Sequence, residues 1–259
     1  MNTRSKLKLA LLLSLAIAVF AFTVHAGNEE TVTIEDGLGR SVTIPERVDR
    51  IVGIEAGALR LIAYLRAIDL VVGVENFEKR NPNRPYRLAY PELGELLNIG
   101  PMHGGDPELI VSSEPEVIFW SYTTVGKANN LQVKTGIPVV ALNQGPPRTM
   151  NRKDLYDGLA ILGRALNKEK RAEEVTEFFE REKEKLKEKG ESGDGPSEPN
   201  AYICGIGQRG ARGISSTEPS YPPFEFLGVN NVAGELGLGH AMINEEKLLQ
   251  WDPDYLFVD

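Results

Sequence analysis

Cysteine is almost absent from the 259-residue chain, which contains only Cys204. A single cysteine cannot form an intrachain disulfide, and no cysteine-based metal site is available. Histidine is also rare, and beyond the first 26 residues only His103 and His240 remain. Because zinc or manganese sites usually gather several histidines and carboxylates, the sequence gives little support to a site for a free divalent ion.

Positive charge is scarce as well. The chain has 29 Lys and Arg against 37 Asp and Glu, a formal net charge of −8. Nucleic-acid binding requires a basic stripe that neutralises phosphates, so we expect no nucleic-acid partner. The chain also lacks the G-x-S-x-G, H-E-x-x-H and P-loop motifs. An enzyme whose site is assembled from distant residues stays open as an alternative.

The first 26 residues have the pattern of a secretory signal peptide. Basic residues precede an apolar run from Leu9 to Phe22, and Val24-His25-Ala26 supplies a small-x-small cleavage site. An uncleaved membrane anchor is the alternative, although the apolar run is short for a spanning helix. No cysteine stands directly after the apolar run, which argues against a bacterial lipoprotein anchor.

Beyond residue 30, the apolar pattern alternates between the periods of strands and helices. Thr31–Ile34 and Ser41–Ile44 alternate polar and apolar residues around the turn Asp36–Gly39, which predicts two paired strands. The following pattern predicts β-α-β units, which build parallel sheets with crossover helices. The predicted elements are strands at Arg50–Ile54, Leu70–Val74, Val117–Trp120 and Pro138–Leu142, and helices at Ala58–Ile68 and from Asp106.

A long helical region follows. Asn151 to Lys189 carries helical patterns only, and the Glu/Lys-rich stretch from Lys168 onward would span about 30 Å. The connector Gly190–Pro199 ends it, and a strand at Ala201–Cys204 opens a second α/β segment.

This second segment partly repeats the first. Asp106–Phe119 matches Asn244–Phe257 without a gap. In both copies an Asx residue suited to N-capping precedes a short helix, an acid-Pro-acid turn and an apolar strand. We therefore predict two related lobes. Ligands of open parallel sheets bind outside the carboxyl ends of the strands, and pockets favour domain interfaces, so the site is expected in the loops after strands.

A series of segments keeps an order and spacing seen in one protein family. The segments are Thr31–Pro45, Arg50–Ile54, Val71–Val74, Ile99–Gly100, Pro115–Ile118, Thr135–Val140, Leu162–Leu166, Arg171–Glu173, Leu248–Leu249 and Asp252–Asp254. Together they resemble the periplasmic binding proteins for ferric siderophores, haem and cobalamin. The resemblance covers essentially all of residues 31–259.

The resemblance implies an α/β fold of the helical-backbone type, with two lobes of mostly parallel sheets joined by one long helix. The expected division is a signal peptide at 1–26, an N-terminal lobe at 31–147, a helical segment at 148–190 and a C-terminal lobe at 191–259. Members of that family run on for several more elements, so the second lobe is expected to be incomplete.

The resemblance also implies the function. The chain would be the exported, non-enzymatic binding protein of an ABC importer, located in the periplasm or at the outer face of the cell membrane. It would capture an iron-chelate ligand without a cofactor and deliver it to a membrane permease, and we expect a monomer. Haem, cobalamin or direct metal-ion binding are alternatives within this interpretation. A secreted enzyme or a sensor module are alternatives outside it.

Two histidines occupy matching places in the repeat. His103 and His240 each lie in a glycine-containing loop just before the repeated helix. Both could face the cleft and ligate a metal directly or within a bound chelate, since neutral imidazole is a common ligand. Two exposed loop histidines without a role are the alternative.

Arginine and aromatic residues complete the expected ligand site. Arg209 and Arg212 follow the first strand of the second segment, and a planar guanidinium suits the oxygens of anionic chelates. Trp120, Tyr122 and Tyr221 follow strands or lie in loops directed at the cleft, and could supply apolar faces to a bulky ligand. Core packing is the alternative for Trp120. Arg80, Arg84 and Tyr86 follow another strand and are weaker candidates.

Acidic residues are expected to dock the permease, because the resembling family uses an acidic patch on each lobe. The counterparts here are Glu92 and Glu95 in the first lobe and Glu225 and Glu235 in the second. Ordinary solvated carboxylates are the alternative.

One motif is a false lead. Gly205–Gly210 matches G-x-G-x-x-G and follows a predicted strand, but a dinucleotide site also needs a helix to start there. Three prolines between residues 219 and 223 oppose that helix, so nucleotide binding is not expected.

Overall fold

The structure is a computed structural model that describes residues 30–142, 152–191, 199–207, 212–237 and 239–259. The predicted signal peptide, most of the predicted connector and Arg209 lie outside these residues. Within them, no helix is both long enough and apolar enough to cross a bilayer.

The strands and helices alternate along the chain. The strands are β1 Thr31–Glu35, β2 Ser41–Pro45, β3 Ile51–Ile54, β4 Val71–Val74, β5 Leu97–Asn98, β6 Val117–Trp120, β7 Val139–Ala141, β8 Asn200–Cys204, β9 Ser216–Thr217, β10 Asn230–Asn231, β11 Ala241–Met242 and β12 Tyr255–Val258. The α-helices are α1 Glu55–Tyr64, α2 Asn76–Arg80, α3 Pro85–Ala89, α4 Pro107–Ser112, α5 Val125–Thr135, α6 Arg152–Ala165, α7 Glu169–Glu191, α8 Pro222–Leu227 and α9 Glu245–Trp251. Short 3₁₀ helices cover Ile68–Leu70, Pro91–Gly94 and Val232–Leu236.

A five-stranded parallel sheet, ordered β5-β4-β3-β6-β7, forms the centre of the first half. Its strands β3 and β6 are fully buried, as their continuous apolar sequences predict. Helices α1, α6 and α7 contribute to the apolar core on one face, and α4 and α5 to the core on the other. The predicted parallel α/β architecture is therefore confirmed.

The hairpin β1–β2 is attached to this sheet by a buried carboxylate. Asp36, at the turn, accepts a hydrogen bond from the Ala141 backbone N–H at 3.1 Å, and the Gly37 N–H donates to the Ala141 carbonyl at 2.8 Å. Arg40 pairs with Asp36 at 2.6 Å and also donates to the Val139 carbonyl. The charge of Asp36 is thus both paired and hydrogen-bonded, as a buried carboxylate requires.

Helix α1 starts and ends earlier than predicted. It begins at Glu55 and ends at Tyr64. Two residues further on, Arg66 has a left-handed backbone with φ of 52°. The sequence misleads here because Leu65, Ala67 and Ile68, which lie beyond the helix, are buried and continue its apolar pattern.

The region after residue 151 contains two helices. Asn167 has a left-handed backbone between α6 and α7, and the Lys168 N–H donates back to the Gly163 carbonyl at 2.7 Å. Asparagine tolerates that conformation well, which explains the break. Helix α7 packs on α1 through the edge-to-face rings of Tyr64 and Phe179.

A second, smaller parallel sheet, ordered β10-β8-β12, follows α7. The four side chains of β12 are between 47% and 79% exposed. Near its end, α7 meets α8 so closely that a Cβ atom on Gly190 would collide with the carbonyl oxygen of Leu227.

The internal repeat extends to the hydrogen bonds of its turns. Asp106 and Asn244 both cap their helices through side-chain oxygens. Glu114 and Asp252, the first acids of the two acid-Pro-acid turns, both have left-handed backbones, with φ of 50° and 43°.

The second acids of those turns have matching roles. Glu116 accepts hydrogen bonds from the N–H groups of Asp49 and Arg50, next to the start of β3. Asp254 accepts one from the N–H of Asn200, the first residue of β8. Each turn therefore joins its own strand, β6 or β12, to the amino end of the neighbouring strand.

Replacing Glu116 by alanine removes the acceptor for two backbone N–H groups. We expect the variant to lose about 1–2 kcal/mol of unfolding free energy, since hydrogen bonds to charged groups contribute at this level and the site is exposed. Urea denaturation measures the loss. Glu114→Ala, in the same turn, is the control, because its contact with Arg50 is a 3.8 Å surface pair. Equal stability of the two variants would contradict the role given to Glu116.

Candidate functional site

Three residues with left-handed backbone follow strands at the carboxyl edge of the five-stranded sheet, where ligands of parallel sheets bind. Glu55, His103 and Tyr122 follow β3, β5 and β6, and their φ angles are 72°, 75° and 55°. Left-handed backbone at residues other than glycine costs on the order of 1–3 kcal/mol each and clusters at ligand sites. We therefore take this edge as the candidate functional site.

Glu75 lies directly after β4 and is 1% exposed. Its Oε2 accepts a hydrogen bond from the Glu55 N–H at 3.0 Å, and its Oε1 accepts one from the Gly104 N–H at 3.1 Å. Burial raises the pKa of the Glu75 carboxyl, although the N–H groups of Gly104 and Glu55 act in the opposite direction. One buried carboxylate thus connects the loops that follow β3 and β5.

His103 is oriented by a second carboxylate. Its Nδ1 lies 2.5 Å from Oε1 of Glu55. The His103 side chain is 63% exposed and that of Glu55 is 15% exposed. A carboxylate that fixes one ring nitrogen fixes the direction of the other, which suits imidazole for contact with a ligand. Within the described ranges, no group of three or more His, Cys, Asp and Glu residues could hold a metal ion.

Trp120 and Tyr122 have different roles. Trp120 ends β6, is 5% exposed and belongs to the core, and a Cβ on Gly104 would lie 3.5 Å from its ring. Trp120 therefore supports the loop that contains His103 and Gly104 from the side of the core. Tyr122 is half-buried and borders an open concavity. Its ring lies so close to Gly57 that a Cβ there would be 2.8 Å from Cε2 of Tyr122.

This concavity, which we call the α1 groove, has a volume of about 630 Å³ and runs beside α1. It is lined mainly by Gly57, Arg60 and Tyr64 of α1, by Tyr86 and Tyr90 at α3, and by Tyr122 at the carboxyl edge. Pockets for small organic ligands have volumes of roughly 300–1,000 Å³ and combine apolar walls with a few polar groups.

A buried acid holds the wall of the groove opposite α1. The Tyr86 hydroxyl lies 2.9 Å from both carboxylate oxygens of Glu78, and Arg84 reaches Glu78 at 3.3 Å and the Tyr86 hydroxyl at 2.9 Å. The Arg84 guanidinium also lies 4.3 Å from the centre of the Phe77 ring. Burial raises the pKa of Glu78, while the hydrogen bond from Tyr86 and the nearby Arg84 partly offset that effect.

The ligand-binding residues predicted in the second segment each have different neighbours. Arg212 is exposed. His240 Nε2 lies 2.7 Å from Oγ of Ser216, which links the residue before β11 to strand β9. Tyr221 packs edge-to-face on Phe224, and burial raises the pKa of its hydroxyl. Arg209 lies outside the described residues.

The four acidic residues predicted to dock a permease are all exposed. Glu92 and Glu95 lie at the 3₁₀ helix before β5, and Glu225 lies in the first turn of α8. Glu235 accepts hydrogen bonds from Trp251 at 3.0 Å and from Lys247 at 2.6 Å, which lower its pKa. Its carboxylate is therefore already paired within the chain.

Glu55 and Glu75 are the site residues that sequence reasoning missed. Both come directly after a predicted apolar strand, and Tyr122 was singled out because it also follows a strand. Their position after a strand could have indicated a site, but an acidic residue at such a position is usually exposed to solvent. Only the fold shows that β3 and β4 are adjacent and bring the two acids together.

The raised pKa of Glu75 predicts how stability depends on pH. Between the ordinary pKa of glutamate and the raised one, the folded chain retains a proton that the unfolded chain releases, so unfolding free energy falls as pH rises through this window. Glu75→Gln is expected to flatten that fall, measured by urea denaturation between pH 4.5 and pH 8. Glu92→Gln controls for the loss of one acid. An unchanged profile in Glu75→Gln would contradict the assignment.

Known proteins resemble the chain along most of its length. The family profile described as periplasmic binding protein matches residues 51–259. The molybdate-binding protein MolA of Haemophilus influenzae is 22% identical over 275 aligned residues, which cover all of this chain and 74% of MolA.

Solved structures share the fold. MolA bound to molybdate has a TM-score of 0.67, and the match covers 88% of this chain and 73% of MolA. A periplasmic solute-binding protein from Veillonella parvula also gives 0.67, at 15% identity over 88% of this chain and 68% of that protein. The haem-binding protein HmuT gives 0.59, at 18% identity, over 88% and 72%.

The family match and the fold agree, and the matched region contains the whole five-stranded sheet, its carboxyl edge and the second sheet. The chain therefore belongs to the periplasmic binding protein family, the extracytoplasmic and non-enzymatic substrate-binding components of ABC importers.

Proposed function

We propose that this substrate-binding protein captures an iron chelate of the ferric siderophore type and delivers it to a membrane permease. The observation that carries the choice of ligand class is the α1 groove, which adjoins the carboxyl edge and has a volume of about 630 Å³. A bare ion or a small oxyanion would fill little of that volume, whereas an organic chelate matches it.

The residues at the edge suit such a ligand. Oriented by Glu55, the exposed imidazole of His103 can present the lone pair of its Nε2 to a donor group of a chelate or to its metal. Tyr122 offers an aromatic face at the mouth of the groove. The two sheets would form the two lobes, with Arg212 and His240 reaching the ligand from the second. The acids Glu92, Glu95, Glu225 and Glu235 would meet the permease.

Molybdate is the second candidate ligand. MolA, whose similarity covers all of this chain and 74% of MolA itself, is a molybdate-binding protein. In addition, α1 begins at the carboxyl edge without a side-chain cap, and free N–H groups at a helix start attract anions. Against molybdate, the N–H of Glu55 at that helix start already donates to Glu75 and is not available to the anion.

Tryptophan fluorescence of the purified chain separates these ligands. Trp120 lies under Gly104, so a ligand that contacts the loop of His103 should change its emission. We expect saturable quenching by a ferric siderophore at micromolar concentration or below, and none by molybdate or by uncomplexed iron. Saturation by molybdate, haem or cobalamin in place of the siderophore would overturn the proposed ligand class and name another.

Removing one cation of the second segment tests whether that segment contacts the ligand. Arg212→Ala should weaken an anionic ferric chelate about tenfold or more, because a charge-assisted hydrogen bond contributes roughly 1.5–3 kcal/mol. Isothermal titration calorimetry measures the affinity, and urea denaturation should show unchanged stability. Arg47→Ala removes a cation whose side chain is 84% exposed and serves as the control. Equal affinity in the two variants would remove Arg212 from the site.

A further inference from the structure

The first turn of α1 places several backbone N–H groups at the carboxyl edge. Helix α1 begins at Glu55 without a side-chain cap, and the N–H groups of a first turn have no acceptor within their own helix. The Glu55 N–H donates to Glu75. The N–H groups of Ala56 and Gly57 follow in the same turn. Such a turn attracts anions, because its N–H groups and the helix dipole both favour negative charge.

A buried hydroxyl lies beside this turn. Ser121 directly follows β6 and is fully buried, and its Oγ has no hydrogen-bond partner among the described residues. A Cβ atom on Gly57 would lie 2.8 Å from that oxygen, so the hydroxyl faces the first turn of α1. Native proteins rarely leave a buried hydroxyl without a partner. A hydroxyl and the N–H groups of a helix start are together the donors with which proteins bind a small oxyanion.

The ring of Tyr122 packs against the same turn. Its Cε2 would lie 2.8 Å from a Cβ atom on Gly57, so even the smallest side chain at residue 57 would displace the ring. Gly57 is buried, although it lies in the first turn of a helix that borders an open groove. The φ angle of Tyr122 is 55°, a left-handed backbone that is costly for a tyrosine and is retained where the surrounding structure requires it. The ring and Ser121 thus close the turn together.

We infer that Tyr122 is a specificity-determining residue, whose ring denies the first turn of α1 to small oxyanions. This inference rests on the proposed function, in which the ligand is an organic chelate, and it names the residue that excludes the smaller anion. Glycine at residue 57 belongs to the same arrangement, since it leaves room for the ring. A chelate that contacts His103 and the outer face of Tyr122 does not need the donors beneath the ring, whereas a small oxyanion does.

Tyr122→Gly tests the inference, because glycine accepts the left-handed backbone and lacks the ring. We expect molybdate to bind this variant about tenfold or more tightly than the unaltered chain, since the exposed N–H and hydroxyl groups form charge-assisted hydrogen bonds with the anion. Isothermal titration calorimetry measures the affinity. Tyr122→Phe retains the ring and should still reject molybdate. Circular dichroism establishes that each variant is folded.

A second substitution locates the site that the ring covers. Ser121→Ala, combined with Tyr122→Gly, removes the buried hydroxyl, and we expect this double variant to lose most of the gained affinity for molybdate. Equal molybdate affinity with and without the Ser121 hydroxyl would place the anion elsewhere and overturn the inference.

The outcomes separate this inference from the proposed function. If folded Tyr122→Gly binds no molybdate while the unaltered chain binds a ferric siderophore, the inference is wrong and the proposed function stands. If the unaltered chain binds no ferric chelate but Tyr122→Gly gains molybdate, the ligand class is wrong and the role of Tyr122 stands. Molybdate binding by the unaltered chain would contradict both. A gain in Tyr122→Gly that is absent in Tyr122→Phe and lost with Ser121→Ala supports the inference.

Discussion

The buried carboxylate of Glu75 is the interaction on which the candidate site depends. It satisfies the backbone N–H groups of Glu55 and Gly104, which belong to loops after different strands. Without this acceptor, two half-buried donors would lose their partner, and only the side-chain contact between Glu55 and His103 would connect the two left-handed backbones. Burying the Glu75 carboxyl is unfavourable, which raises its pKa, but its two hydrogen bonds fix the arrangement of the loops after β3 and β5.

Most of the fold could be predicted from the sequence, since it follows from local patterns. Strands such as Val117–Trp120 are continuous apolar runs between turn residues, and the structure has that strand at the same bounds. The internal repeat could also be predicted from the sequence, because the proline in each acid-Pro-acid turn restricts the backbone of the residue before it. The ends of α1 were predicted wrongly, since buried loop residues such as Leu65 and Ile68 imitate a helical face.

The site could be predicted only in part, because it is built from contacts between distant residues. The position after a strand pointed to Tyr122, but it could not show that Glu55 meets His103, 48 residues further along the chain. The α1 groove was missed for the same reason. Arg60 is an ordinary helical arginine in the sequence, and only the fold shows that it lines this groove opposite Tyr86 and Tyr90.

The contact between Gly190 and Leu227 has a consequence for how the arrangement of the two sheets can change through mutation. Helix α7 meets the second segment at a point where even one additional carbon atom finds no room. Any side chain at residue 190 would push α8 away, and the small sheet beside α8 would shift with it. A residue far from the carboxyl edge can therefore alter how the two sheets are placed relative to each other. In such a chain, that placement depends on the joint between α7 and α8 as much as on the residues of the sheets themselves.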